Sequence, residues 1–297
     1  GVTVDLNLAT AQGGAGDATG DVLSNFENLT GSGQADTLSG TASANVINGG
    51  AGNDTIEGRA GADTLDGGAG TDTASYANSA AGVTVDLSLA TAQVSTGDAS
   101  GDVLTNVENL TGSAQADTLS GTATANVIAG GAGNDTISAA AGNDSLDAGA
   151  GNDSLDGGTG SDTIDGGAGT DTVTYANSAA GVTVDLTLAT AQGGAGDAAG
   201  DVLSNIENLV GSGQADTLSG DGNANTITAG AGDDTVSAAA GADSVDAGAG
   251  NDLVEGGAGA DTLDGSTGTD TVTYANSAAG VTVDLNLATA QGGAGDA

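Results

Sequence analysis

A large aliphatic residue returns in a nine-residue rhythm through most of the chain, as at Leu38, Ile56, Leu65, Ile137, Leu146, Leu155, Ile164 and Leu263. Each stands between two polar residues, as in Thr55-Ile56-Glu57. One inward side chain flanked by two outward ones is the period-2 signature of a short, half-buried strand. Ahead of each strand come glycines at the first, second and fourth places of the nine, as in Gly49-Gly50-Ala51-Gly52, which suit the positive φ angles and close approach of a tight turn. A turn plus a three-residue strand cannot fold alone, but stacked copies bury a continuous aliphatic ladder. The pattern predicts an all-β parallel β-roll, or β-solenoid, with two nonapeptides per coil and one strand in each of two facing parallel sheets.

A longer repeat encloses the short one. The phrase GVTVDL-x-LATAQ begins at Gly1, Gly82, Gly181 and Gly280, and the closing stretch from Gly280 to Ala297 copies Gly1 to Ala18 letter for letter. The predicted order is connector-type coils at 1–30, array 1 at 31–75, connector 76–111, array 2 at 112–174, connector 175–210, array 3 at 211–273, and the opening of a further connector at 274–297. The arrays hold five, seven and seven repeats. Each connector opens on YANSAAGVTVDL and closes on D-V-L-x-N-x-E-N-L. An odd run followed by an even number of half-coils would start successive arrays on opposite edges of the roll.

Composition adds two constraints. Pro, Cys, Met, Trp and His are absent and there are only four aromatics, Phe26, Tyr76, Tyr175 and Tyr274, so the core must be thin and regular, with the tyrosines plugging a wider coil. Forty acidic residues against the single base Arg59 give a net charge of −39. That charge excludes binding to a nucleic-acid backbone and opposes adsorption to an anionic membrane. No stretch has the length of a membrane-spanning helix, so no membrane insertion is expected. The partners it calls for are cations.

Candidate chemistry sits at the sixth place of the nonapeptide, which is Asp in 16 repeats and Asn in three (Asn45, Asn126, Asn225). Stacked coils would bring these carboxylates together, and a hard cation relieves the repulsion. Ca²⁺ takes six to eight oxygens from carboxylates and backbone carbonyls, whereas Mg²⁺ demands a stricter octahedron. Zinc and copper lack their usual Cys and His ligands. The acids at the ninth place, such as Glu57, Asp66 and Asp147, read as solvated strand ends. Glu27, Glu108 and Glu207 could cap a turn or hold an ion, with the cap favoured.

These nonapeptides, of the form GGAGNDTIE and GGAGADTLD, closely resemble the RTX, or haemolysin-type, calcium-binding repeat, and the connectors resemble the linking segments of large bacterial RTX proteins. The resemblance implies a parallel β-roll with Ca²⁺ between successive loops, type I secretion, and folding outside the cell. Carried over residue by residue, it implies ligands at Asp36, Asp54, Asp63, Asp72, Asp117, Asp135, Asp144, Asp153, Asp162 and Asp171. In array 3 they are Asp216, Asp234, Asp243, Asp252, Asp261 and Asp270. With an ion between each loop and the next but one, this gives roughly 13 Ca²⁺ sites.

Catalysis is not expected, because the carboxylates recur in every coil and no His, Cys or Lys supplies a base or nucleophile. The leading expectation is a calcium-dependent structural module of a long extracellular or surface-attached bacterial repeat protein, such as an adhesin, surface-layer component or filament. It would continue in a longer chain or associate head to tail. The alternatives are the secretion and folding module of an exported enzyme or toxin, and a solenoid face that binds ice or polysaccharide through outward Thr ladders.

Overall fold

In the computed structural model, residues 1–14, 16–283 and 285 are described. The expected further connector at 274–297 therefore lies largely outside the described residues. Among those residues every element is a strand, two to seven residues long, and the strands pair in parallel. The chain divides into two compact units, residues 1–153 and 154–297.

In the first unit each array strand pairs with its counterpart two repeats further on. Thr37, Leu38 and Ser39 lie against Thr55, Ile56 and Glu57. In the alternate sheet Val46 and Ile47 lie against Thr64 and Leu65. The eighth-place side chains Leu38, Ile47, Ile56 and Leu65 are fully buried, so the aliphatic ladder forms the core as two facing columns. The second unit repeats the arrangement, with Thr226-Ile227-Thr228 on Ser244-Val245-Asp246 and Thr217-Leu218-Ser219 on Thr235-Val236-Ser237. A coil of two nonapeptides is therefore the building unit within each array.

The connector makes one wide turn. Thr73 pairs with Asn109, so the sheet holding Thr73–Ser75 runs straight through. The other sheet ends where Val103–Thr105 covers Thr64, and restarts where Thr84–Asp86 receives Thr118. In the second unit Thr172 pairs with Asn208, while Val202 covers Thr163 and Thr183 receives Thr217. In the first unit, the sheet that runs through carries the odd repeats of array 1 below the connector and the even repeats of array 2 above it. Arrays 1 and 2 therefore start in opposite sheets, as the odd repeat number requires.

Tyr76 and Tyr175 fill the wide turns and are buried. The hydroxyl of Tyr76 donates to Asp102 Oδ2 at 3.1 Å, and that of Tyr175 to Asp201 Oδ2 at 3.0 Å. Gln93 braces the same turn from its side chain: Oε1 accepts the Asp86 N–H and Nε2 donates to the Asp86 carbonyl, both at 2.9 Å. Phe26 differs from the tyrosines and stands 53 % exposed.

Candidate metal centre

The sixth-place residue lies one position ahead of its strand, in phase with the eighth, so its side chain turns inward. Asp54, Asp63, Asp72, Asp135 and Asp234 are as buried as the aliphatic ladder. Each carboxylate first serves its own column. Asp54 Oδ1 accepts the Asp36 N–H at 2.8 Å, Asp72 Oδ1 the Asp54 N–H at 2.7 Å, and Asp234 Oδ1 the Asp216 N–H at 2.8 Å. One carboxylate oxygen per coil thus satisfies the backbone group that the strand ladder leaves over.

The second oxygen divides the loops into two kinds, and the second residue of the repeat decides which. In the third and later repeats of every array that residue has positive φ: three in array 1 and five in each of the others, thirteen in all. Gly50 lies at φ 103°, and even the non-glycines Arg59, Ala140, Ala239 and Ser266 adopt 59–79°. We call these loops open. In them Oδ2 of Asp54, Asp63, Asp72, Asp135, Asp234, Asp243 and Asp252 is buried without a hydrogen-bond partner in the protein. Asp144, Asp153, Asp162, Asp171, Asp261 and Asp270 sit in the remaining open loops.

In the first two repeats of every array the second residue is Ser, Thr or Asp without positive φ, and its N–H points back at the sixth-place side chain. Ser113 N–H donates to Asp117 Oδ2 at 2.5 Å and Ser212 N–H to Asp216 Oδ2 at 2.6 Å; Ser32 N–H does the same for Asp36. The other oxygen of Asp117 accepts the Val83 N–H at 2.7 Å and the Ser113 hydroxyl at 2.9 Å. Asp36, Asp117 and Asp216, three of the sixteen expected ligands, therefore have both oxygens engaged by the chain itself. These loops are closed.

The open loops fit a hard cation on two grounds. First, the spare oxygens need a positive partner. Burial pushes the carboxyls of Asp63, Asp135 and Asp234 up to about 6 although each accepts a backbone N–H, and drives Asp54, Asp72 and Asp243 upward too. In the closed loop of Asp36 burial also pushes upward, but the N–H groups of Ser32 and Val2, the Ser32 hydroxyl and the N-terminal charge together lower the value. Second, oxygens from two coils converge. A Cβ at Gly49 would collide with Asp54 Oδ2 and fall 2.5 Å from the Gly67 carbonyl oxygen of the next coil. At Gly130 the same pair is Asp135 Oδ2 at 2.5 Å and the Ala148 carbonyl at 2.6 Å.

The first-place glycine thus serves close approach, not the positive φ expected of it; positive φ belongs to the second and fourth places, as at Gly50 and Gly52. Five repeats instead carry a buried Ala in the first place: 139, 148, 229, 238 and 247. Among the described residues no three His, Cys, Asp or Glu side chains converge. Any ion held here would draw on one or two carboxylates and complete its shell from turn carbonyls. Such an all-oxygen set of low carboxylate count matches Ca²⁺.

Residues outside the nonapeptides extend the columns. Asp102 Oδ1 accepts the Asp63 N–H at 2.9 Å, and Asp201 Oδ1 that of Asp162 at 2.9 Å. The D-V-L phrase is thus a hidden D-x-U step, with Asp in the sixth place, and the spacing of Asp to Leu was the available signal. Burial pushes Asp102 up to about 7, despite its bond from the Asp63 N–H. In the N-x-E-N-L phrase the longer Glu fills the same place. Glu108 Oε2 accepts the Asp72 N–H at 2.9 Å, and Glu207 Oε2 that of Asp171 at 2.8 Å, which is the capping role. Two ninth-place acids are less solvated than expected: Glu57 is 8 % exposed and accepts from Asn78 Nδ2, while Asp66 accepts from Asn48 and Asn106.

No curated protein matches the chain. The profile of the RTX calcium-binding nonapeptide repeat (4 copies) matches residues 26–56, 39–74, 111–146, 138–173, 204–236 and 237–272. These segments overlap all three arrays, take in both kinds of loop, and include Glu27 and Glu207 but not Glu108. With its arrays matched over more than half its length, its strands in a parallel register of two repeats per coil and its open loops offering spare buried oxygens, the chain belongs to the family of RTX calcium-binding repeats.

Proposed function

We propose that the chain is a calcium-stiffened structural length of a secreted bacterial repeat protein, folding on Ca²⁺ outside the cell and carrying no catalysis of its own. The observation that carries this reading is the spare, buried Oδ2 of Asp54, Asp63, Asp72, Asp135, Asp234, Asp243 and Asp252, found in all three arrays. Metal binding is then folding free energy, because the buried carboxylates oppose folding until a cation meets them. Secretion is supported by the family, whose repeats are typical of exported proteins. A scaffold role is supported by tandem units whose outer faces present small hydroxylated residues in register, such as Thr3, Thr37, Thr55 and Thr73. One ion per open loop gives thirteen at saturation.

The test is circular dichroism and hydrodynamic radius through a calcium titration with reversal by EDTA. Strand signal and compaction should appear together with calcium and vanish with chelation. Folding indifferent to calcium overturns the mechanism. Pulling single molecules in an optical trap tests the scaffold role: the chain should resist extension in calcium and yield as a soft polymer in EDTA, and equal compliance in both would remove the stiffening.

A further inference from the structure

The closed loops and the connectors share a property. Asp102, Gln93, Asp117 and Asn126 have their inward polar atoms engaged by the chain, in contrast to Oδ2 of Asp54, Asp135 or Asp234. At the wide turn, Tyr76 covers the second oxygen of Asp102, and the Gln93 amide uses its acceptor and a donor on Asp86. In the next coil Asp117 is closed by Ser113 and Val83.

Half a coil further on, the sixth-place residue is Asn, and the amide explains the departure from Asp. Asn126 Oδ1 accepts the Thr122 N–H at 2.7 Å while Nδ2 donates to the Glu108 carbonyl of the preceding coil at 2.5 Å. Asn225 repeats this with Asp221 and the Glu207 carbonyl at 2.9 and 2.8 Å, and Asn45 with Thr41 and the Glu27 carbonyl at 2.7 and 3.0 Å. An amide brings its own donor to the carbonyl that a carboxylate would repel. The Asn repeat is therefore a coil junction that needs no ion. It always directly follows a connector Glu in its column.

The same stretches hold the larger apolar side chains. Tyr76, Val83, Val85, Leu104, Val107 and Leu110 are all buried within one wide turn. An array coil has only two large aliphatic residues, as with Ile56 and Leu65.

We propose that each connector, together with the two repeats that follow it, is a metal-independent block, and that calcium governs only the open-loop segments between blocks. The blocks are residues 76–129 and 175–228, and the open segments are 49–75, 130–174 and 229–273. This rests on the calcium reading of the open loops and adds where that dependence stops. On chelation the chain would not dissolve as a whole. It would become flexible acidic segments strung between folded knots, ready to template the return of the arrays when calcium is restored.

Hydrogen–deuterium exchange on the full chain, followed by mass spectrometry in excess calcium and in EDTA, tests this by segment. In EDTA, amides of 76–129 and 175–228 should exchange at least about tenfold more slowly than those of 130–174 and 229–273. Loss of protection in blocks and arrays together would overturn the proposal while leaving the calcium reading intact. Protection retained everywhere in EDTA would remove the calcium reading, and the contrast with it. The variant Asn126→Asp gives a second reading, because it replaces the donor facing Glu108 by an oxygen. Residues 121–129 should lose protection in EDTA and regain it in calcium, where the variant's circular dichroism should match the parent. Unchanged protection of 121–129 in EDTA would also overturn the proposal.

Discussion

Replacing Asp135 by Asn should change the stability of array 2 in opposite directions with and without calcium. The substitution keeps the oxygen that accepts the Asp117 N–H at 2.8 Å and turns the spare Oδ2 into an amide. Burial pushes the Asp135 carboxyl up to about 6 from an ordinary 3.8. With much of that field screened by solvent, the ionised group penalises the calcium-free fold by about 1–2 kcal/mol at pH 7. The new Nδ2 can donate to the Ala148 carbonyl, which lies on the same side of the turn. In EDTA, the concentration of trimethylamine oxide needed to fold the array should therefore fall. In calcium the variant gives up one anionic ligand, and affinity at that loop should weaken by about tenfold, near 1.4 kcal/mol. Because the folded value is raised, the penalty in the parent is complete above about pH 6, shrinks as pH falls through that value, and is gone below the unfolded value of 3.8. Calcium-free folding of the parent should strengthen on acidification from pH 7 to 4, and the advantage of Asp135→Asn should disappear over the same interval. Equal destabilisation in EDTA and calcium, or an advantage in EDTA that persists at pH 4, would refute the argument from the unpartnered carboxylate.

Tyr175→Phe removes the hydroxyl from Asp201 Oδ2 and should lower stability in calcium by about 1–3 kcal/mol, read from denaturant midpoints. Ile56→Ala leaves a gap in a fully buried ladder whose next member is already Ala74. It should cost about 2–5 kcal/mol, and exchange protection should drop first in residues 31–75. Gly49→Val places a branched side chain where Asp54 Oδ2 and the Gly67 carbonyl converge, so calorimetry should count one ion fewer while the strand signal in calcium persists. An unchanged count would show that the two oxygens do not share an ion.

Much of the architecture could be read from period alone. The nine-residue rhythm placed Leu38, Ile56 and Leu65 in the core and set the register at two repeats per coil, because a coil that slipped by one residue would turn its only aliphatic outward. The connector was less legible, since four nonapeptide lengths fit two ordinary coils as well as one wide turn, and the pairings of Thr73 with Asn109 and of Thr64 with Val103 distinguish them. The sixth-place Asp was visible as a ligand candidate in all sixteen repeats, but not its division into open and closed loops. That division depends on the sign of φ at the second place. Ser32, Ser113 and Ser212 there carried the signal, as Ser favours a local bond between backbone and side chain where Gly favours the left-handed turn. Arg59, Ala140, Ala239 and Ser266 would have misled, because stacking holds them at positive φ against their own preference.

The sheet that restarts at each connector is a seam: its hydrogen-bonded ladder stops at Val103–Thr105 and begins afresh at Thr84–Asp86, while the opposite sheet carries on. In the first unit, array 1 hands the seam from the sheet that begins at Thr3–Asp5 to the opposite sheet at connector 76–111, as courses of brick are laid with staggered joints. Tension drawn along that unit would find the unbroken ladder of Thr73 and Asn109 beside the joint. Adding or deleting a pair of nonapeptides keeps the stagger, as the shorter array 1 does. Adding or deleting a single one would align two joints and leave a hinge.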